Sequence, residues 1–163
     1  MMKARPVAVL VEAIHAAADG PLHEAGFEVE RLGRSPTPAE LADLLQRATL
    51  VGLRSKTPLR APALAAAPRL AAVGCFCIGT DQVDLMAAAR GGVPVFNSPF
   101  SNTRSVAELT IAEIIALSRR LLDKSAEIHA GRWDKSARQA REVRGRTLGI
   151  VGYGHIGSQL SVL

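Results

Sequence analysis

Aromatic residues are scarce in this chain, with four phenylalanines, one tryptophan and one tyrosine among 163 residues, so the core it can build is aliphatic. No apolar run reaches the roughly 18 residues that a membrane-spanning helix needs, and the N-terminus lacks the charged-then-apolar pattern of a secretion signal. A membrane is therefore not an expected partner, and a cytoplasmic address is expected by default. Cysteine is limited to Cys75 and Cys77. Set one residue apart in an apolar run, they share one face of a strand and are expected as buried free thiols. The four histidines, His15, His23, His129 and His155, are scattered, and neither they nor the cysteines have the spacing of a metal site.

Aliphatic and small residues are what the chain has in quantity. Hydrophobic residues make up 48% and charged residues 21%, the balance of a globular protein and not of a disordered one. The formal net charge of +5 is uneven, since residues 119–146 hold nine Lys or Arg against four acids. Apart from Trp133 no aromatic is interleaved with them and no recognition motif appears, so nucleic acid is not an expected partner. A solvated surface, or a field that draws in a small anionic substrate, accounts for the segment.

Residues 6–11 form a compact apolar run expected as a buried first strand; 27–32 alternate as a second, and 50–53, 70–76 and 93–96 continue the series. Helical stretches lie between them. Residues 13–25 are broken or restarted at Pro21. Residues 37–48 open with a capping box, Thr37 standing three residues before Glu40 with Pro38 at the first helical position. A short helix ends before Pro68, and 84–90 are closed by Gly91 and Gly92. Alternation at this pitch is the pattern of a parallel sheet covered by helices, an α/β fold. Residues 103–122 read as one long helix, apolar over much of its circumference and so expected to be buried on more than one side, as between two domains or subunits. A second helix at about 125–132 leads to Trp133 and a basic loop. The domain boundary is expected near 99–102, giving a first domain of residues 1–100 and a second of 101–163.

Residues 147–157 carry the organising local signal. A short apolar run enters the spacing Gly-x-Gly-x-x-Gly at Gly152, Gly154 and Gly157, read as strand, tight turn and helix start. Gly152 can take the turn, Gly154 lets a pyrophosphate approach the backbone, and Gly157 lets the helix lie close to its strand. The N–H groups of the helix start then face the phosphates. With its flanking sequence the motif favours a dinucleotide site over a chance loop. The acidic residue that holds the adenosine ribose in such domains, about 20 residues further on, would fall after Leu163.

Three further segments complete a constellation: 51–57 (Val-Gly-Leu-Arg-Ser-Lys-Thr), 74–84 (Gly-Cys-Phe-Cys-Ile-Gly-Thr-Asp-Gln-Val-Asp) and 96–108 (Phe-Asn-Ser-Pro-Phe-Ser-Asn-Thr-Arg-Ser-Val-Ala-Glu). In this order, ahead of the glycines, they resemble the D-isomer-specific 2-hydroxyacid dehydrogenases, most closely the bacterial phosphoglycerate-oxidising branch of serine biosynthesis. The likeness runs from Val7 over nearly the whole chain and covers less than half of a complete enzyme. It implies a parallel flavodoxin/Rossmann-like substrate domain followed by the start of a Rossmann NAD-binding domain, NAD and not NADP as cofactor, and oxidation of 3-phosphoglycerate to 3-phosphohydroxypyruvate. It also implies a substrate set of Arg54, Ser55, Lys56, Gly79 and Asn102, and a cofactor set of Ile78, Val106, Gly152, Tyr153, Gly154, His155, Ile156 and Gly157.

Several of these residues have a plainer reading. Arg54 would be a charge-assisted partner for a carboxylate or phosphate, but a solvated turn arginine reads the same. Lys56 stands where the nearest relatives often carry arginine, which replaces a planar grip by a point charge and leaves another 2-hydroxy acid, such as glycerate or lactate, open as substrate. The amides of Ile78, Gly79 and Thr80 would reach the substrate carboxylate and the nicotinamide; a strand-to-helix turn, with Gly79 for its φ and Asp81 or Asp84 as cap, uses the same residues. Asn102 is the family's substrate-side amide or a helix cap, and Val106 borders the nicotinamide or is core. His155 lies in the phosphate turn and is not the family's catalytic histidine. The family's catalytic arginine, histidine and glutamate follow the glycine fingerprint and would lie beyond Leu163. The chain is accordingly expected to be an incomplete copy without catalytic residues of its own, inactive alone. It would form a homo-oligomer or associate with a full-length homologue through residues 103–122 and Trp133, and in the second case act as an interaction module.

Overall fold

In the computed structural model, which describes residues 5–163, a row of valines crosses one sheet: Val9, Val51, Val73 and Val95 are register partners on successive neighbouring strands. The strands are β1 (Val7–Val11), β2 (Glu28–Leu32), β3 (Ala48–Leu53), β4 (Ala72–Cys75) and β5 (Val95–Asn97). All pairings are parallel, in the order β2-β1-β3-β4-β5. That is the flavodoxin-like winding, in which the chain leaves β1 in one direction and returns past it to continue in the other. The helices between strands are α1 (Asp19–Glu24), α2 (Pro38–Arg47), α3 (Ala61–Ala65) and α4 (Leu85–Arg90). Backbone contacts close this first unit at Ser101, and Asn102–Leu163 form a second.

The core lies on one face of the sheet, where Val9, Val11, Val51, Leu53, Val73 and Cys75 meet Leu41 and Leu45 of α2. Leu41 and Leu45 are one helical turn apart, so a single stripe of α2 is buried, each leucine worth about 1.5–3 kcal/mol of transfer free energy. The capping box forms as the sequence indicates: Glu40 N–H donates to Thr37 Oγ1 and Thr37 N–H to Glu40 Oε2. On the other face Gly52 keeps the middle of β3 bare, because a Cβ there would lie 2.5 Å from Leu10 Cδ2 and 2.9 Å from Phe76 Cε2. The helix expected to restart at Pro21 begins at Asp19 instead, with Pro21 inside its first turn, where a missing N–H forfeits no helical bond.

The second unit holds α5 (Thr103–Ser118), α6 (Leu121–His129) and α7 (His155–Val162), with α5 packed on α7. The expected single helix over 103–122 is broken. Arg120 adopts left-handed φ 55° and ψ 36°, donates from Nε to Asp123 and from Nη1 to Gln139, and the Arg141 N–H caps the Ser118 carbonyl at 2.8 Å. Within this chain Ala107 is the buried residue of α5, while Leu109 and Leu117 are 59% and 70% exposed. Residues 147–151 are not the strand expected before the glycines. A strand needs a neighbour to receive its N–H and C=O groups, none pairs with this segment among the described residues, and Val151 is fully exposed. No helix among the described residues is long and apolar enough to cross a membrane.

Candidate functional site

In the first unit the winding reverses between β1 and β3, and a parallel α/β sheet offers its binding crevice at the carboxyl ends of such a pair. Glu12 and Ala13 leave β1 with positive φ, 62° and 51°, a conformation that costs non-glycine residues free energy and persists where surrounding structure imposes it. A cavity of about 600 Å³ opens there, its walls including Ala13, Ile14, His15, Arg54 and Phe76.

The loop after β3 is held from beneath by Glu12. Its Oε1 accepts from the N–H groups of Arg54 (3.2 Å) and Thr57 (2.8 Å), and Oε2 from that of Lys56 (2.9 Å). Burial pushes the Glu12 pKa up, but the Thr57 side chain and the three backbone donors outweigh it and hold the carboxyl below its ordinary value. Above this anchor Arg54, Ser55 and Lys56 are exposed, and no ion pair among the described residues claims either cation. By contrast Arg31, Arg34 and Arg47 are each bound to a carboxylate.

Gln82, 5% exposed, ties this loop to the next. Its Nε2 donates to the Arg54 carbonyl at 2.8 Å and lies 3.4 Å from both the Gly79 carbonyl and Cys77 Sγ. The Ile78 carbonyl is taken by Asn97 Nδ2 at 2.7 Å. Residues 78–80 are thus secured through carbonyls, an arrangement that leaves their amides out of those bonds. Gly79 does not adopt positive φ, which corrects that part of its turn reading, and Asp84, not Asp81, caps α4 by accepting the Ala87 N–H at 2.9 Å. Cys75 is buried and Cys77 only half-buried, because Cys77 lies past the end of β4. Burial, then the neighbouring Cys77, pushes the Cys75 thiol up to about 11.

In the second unit Asn102 occupies the N-cap position of α5 but makes no capping bond with its side chain, and Val106 is half-buried. The fingerprint glycines separate into three roles. Gly152 takes φ +94°. Gly154 caps α7 without a side chain, and a Cβ on it would meet nothing within 4 Å, so a phosphate can approach the amides of the first turn. A Cβ on Gly157 would lie 2.2 Å from the Gly152 carbonyl oxygen and 3.4 Å from Ile150 Cγ2. Ile156 is half-buried, Tyr153 and His155 are exposed, and Tyr153 Oη meets Ser161 Oγ at 2.7 Å.

The structure therefore brings Arg54, Ser55, Lys56, Ile78 and Gly79 together at one edge of the first unit. Asn102 and Val106 lie on α5 and residues 152–157 at the start of α7, both in the second. Sequence reasoning missed Glu12, Thr57, Gln82 and Asn97. The one signal it had for Glu12 was an acid placed directly after an apolar strand.

A family model described as D-isomer specific 2-hydroxyacid dehydrogenase, catalytic domain, matches residues 8–153. The chain belongs to this family. Among its relatives are the D-3-phosphoglycerate dehydrogenases of Dictyostelium discoideum, 55% identical, and of Escherichia coli, 49% identical, each alignment covering 95% of this chain and 38% of the relative. This member thus spans well under half the length of those two proteins. Solved structures agree on the fold. The TT0316 protein of Thermus thermophilus superimposes with TM-score 0.87 at 29% identity, over 96% of this chain and 51% of that one. The D-lactate dehydrogenase of Aquifex aeolicus, solved with NAD and lactic acid, gives 0.79 at 26%, over 94% and 47%.

Proposed function

We propose that the first unit is the substrate-binding domain, and the second the opening part of the NAD-binding domain, of a dehydrogenase that oxidises D-3-phosphoglycerate to 3-phosphohydroxypyruvate. The observation that carries this reading is the loop of Arg54 and Lys56, two exposed cations outside any ion pair among the described residues, on a backbone held by a buried carboxylate at the carboxyl end of a parallel strand. Two such groups fit a ligand with a carboxylate at one end and a phosphate at the other. Ser55, Gly79 and Asn102 complete the substrate set. Gly152, Tyr153, Gly154, His155, Ile156 and Gly157 cradle the dinucleotide, with Ile78 and Val106 beside the nicotinamide. The open Cβ position of Gly154 and the uncapped start of α7 support that fit. When bound, NAD supplies the hydride acceptor.

The 163 residues by themselves bind without turnover in this reading. His15, His23 and His129 each have a ring nitrogen engaged by a backbone group, and no ion pair with a carboxylate among the described residues orients any of them. Calorimetric titration tests the substrate: D-3-phosphoglycerate should bind about tenfold or more tightly than D-glycerate, from the charge-assisted phosphate contact, and Arg54→Ala should abolish the difference. Equal affinities point to another 2-hydroxy acid. Turnover of D-3-phosphoglycerate with NAD at the rate of complete relatives would overturn the binding-only reading.

A second reading is favoured by Leu117, Leu121 and Leu122, which with Ala112 and Ala116 line an apolar concavity of about 470 Å³. Such a face fits an interaction module that docks on a second copy or a full-length homologue. Sedimentation that shows a monomer with no self-association, and none with a full-length relative, removes it.

A further inference from the structure

Glu12 is a buried carboxylate that takes no part in hydride or proton exchange in the reading above, yet it sits beneath the two proposed substrate cations. We infer that Glu12 is a positioning residue for substrate binding, fixing the backbone of residues 54–57 before ligand arrives so that Arg54 and Lys56 face an anionic substrate together. The inference rests on the assignment of those two residues to substrate.

Its three backbone donors come from 42, 44 and 45 residues away, and both carboxylate oxygens are used. Only a group that accepts at every position can serve. A glutamine would turn one oxygen into an NH2 group facing an N–H, and an aspartate, shorter by one methylene, would fall out of reach. Glu12 is itself fixed: its N–H donates to the Arg34 carbonyl at 3.1 Å. From the segment after β2, Ser35 Oγ meets Thr57 Oγ1 at 3.0 Å. The segments that follow β1, β2 and β3 are thereby joined under one loop. Ser55 is the amide of that loop that the carboxylate does not take, and it supplies an internal reference.

Amide hydrogen exchange on the 163-residue chain, together with D-3-phosphoglycerate titration, tests the assignment. In the unliganded wild type the amides of Arg54, Lys56 and Thr57 should exchange more slowly than that of Ser55. In Glu12→Gln, where one of the two oxygens no longer accepts, at least one of the three amides should speed up about tenfold or more, as for a lost charge-assisted bond, while Val9, Val51 and Val73 keep their protection and affinity for D-3-phosphoglycerate falls about tenfold. Protection at the three amides that appears only with ligand overturns the inference, and this wild-type comparison decides even if the variant does not fold. A loosened loop with unchanged affinity overturns it as well, leaving Glu12 a purely structural role. If wild type and Arg54→Ala bind D-3-phosphoglycerate alike, the substrate assignment fails, whereas the exchange pattern still reports whether Glu12 holds the loop.

Discussion

Gly157 sits so close to Gly152 that a single added carbon on Gly157 would overlap the Gly152 carbonyl oxygen, at 2.2 Å. The obstacle is backbone, which cannot swing aside as a side chain can. Gly157→Ala should therefore displace the turn at a cost of about 1–3 kcal/mol or more and abolish NAD binding. Gly154→Ala has open space and an ordinary φ of −88°, so it should leave folding intact and weaken NAD binding alone. Thermal unfolding and NAD titration of the two variants check the contrast; equal effects on stability would contradict it.

The two thiols should differ in reactivity. With its thiol pushed up to about 11 and its side chain buried, Cys75 stays protonated and shielded at about pH 8. Half-buried Cys77 should be alkylated first, and Cys75 only on unfolding. Timed iodoacetamide labelling with peptide mass spectrometry reads the order directly.

Glu40 links stability to acid pH. The Arg34 guanidinium, then the Thr37 backbone N–H, hold its carboxyl at about 2 against an ordinary 4.5. A depressed acid contributes stability that is fully present above 4.5 and lost as pH falls from there through about 2. The thermal midpoint of Glu40→Gln should lie below that of the wild type at neutral pH, and the gap should close across that window. A gap independent of pH would refute the assignment.

Leu45 is fully buried, whereas Leu44 beside it is only partly so. Leu45→Ala should cost about 2–5 kcal/mol through lost transfer energy and a residual cavity. Leu44→Ala should cost less. Urea unfolding of both variants measures the difference.

What could be read from the sequence was local. Thr37, Pro38 and Glu40 form their capping box within four residues, and Asp84 caps α4 across three, so the order of strands and helices in the first unit follows from nearby residues. The break at Arg120 could not be read, because its left-handed conformation is held by Gln139, 19 residues on, while the apolar pattern runs unbroken through it. The strand expected at 147–151 failed for the opposite reason: the residues are right for a strand, but strands form in company. Of the candidate site, Arg54, Lys56 and Gly79 were legible as exposed groups in a recognisable segment. Glu12 and Gln82 were not, since their partners come from other loops and only folding makes them neighbours.

Gln82 gives one amide to two loops. If the strand-end segment at Arg54 shifts outward, the turn at Gly79 must travel with it or a bond of 2.8 Å must break. In the proposed reading Arg54 and Gly79 would then meet the substrate from parts that move as a pair, so that a disturbance at either contact is felt at the other.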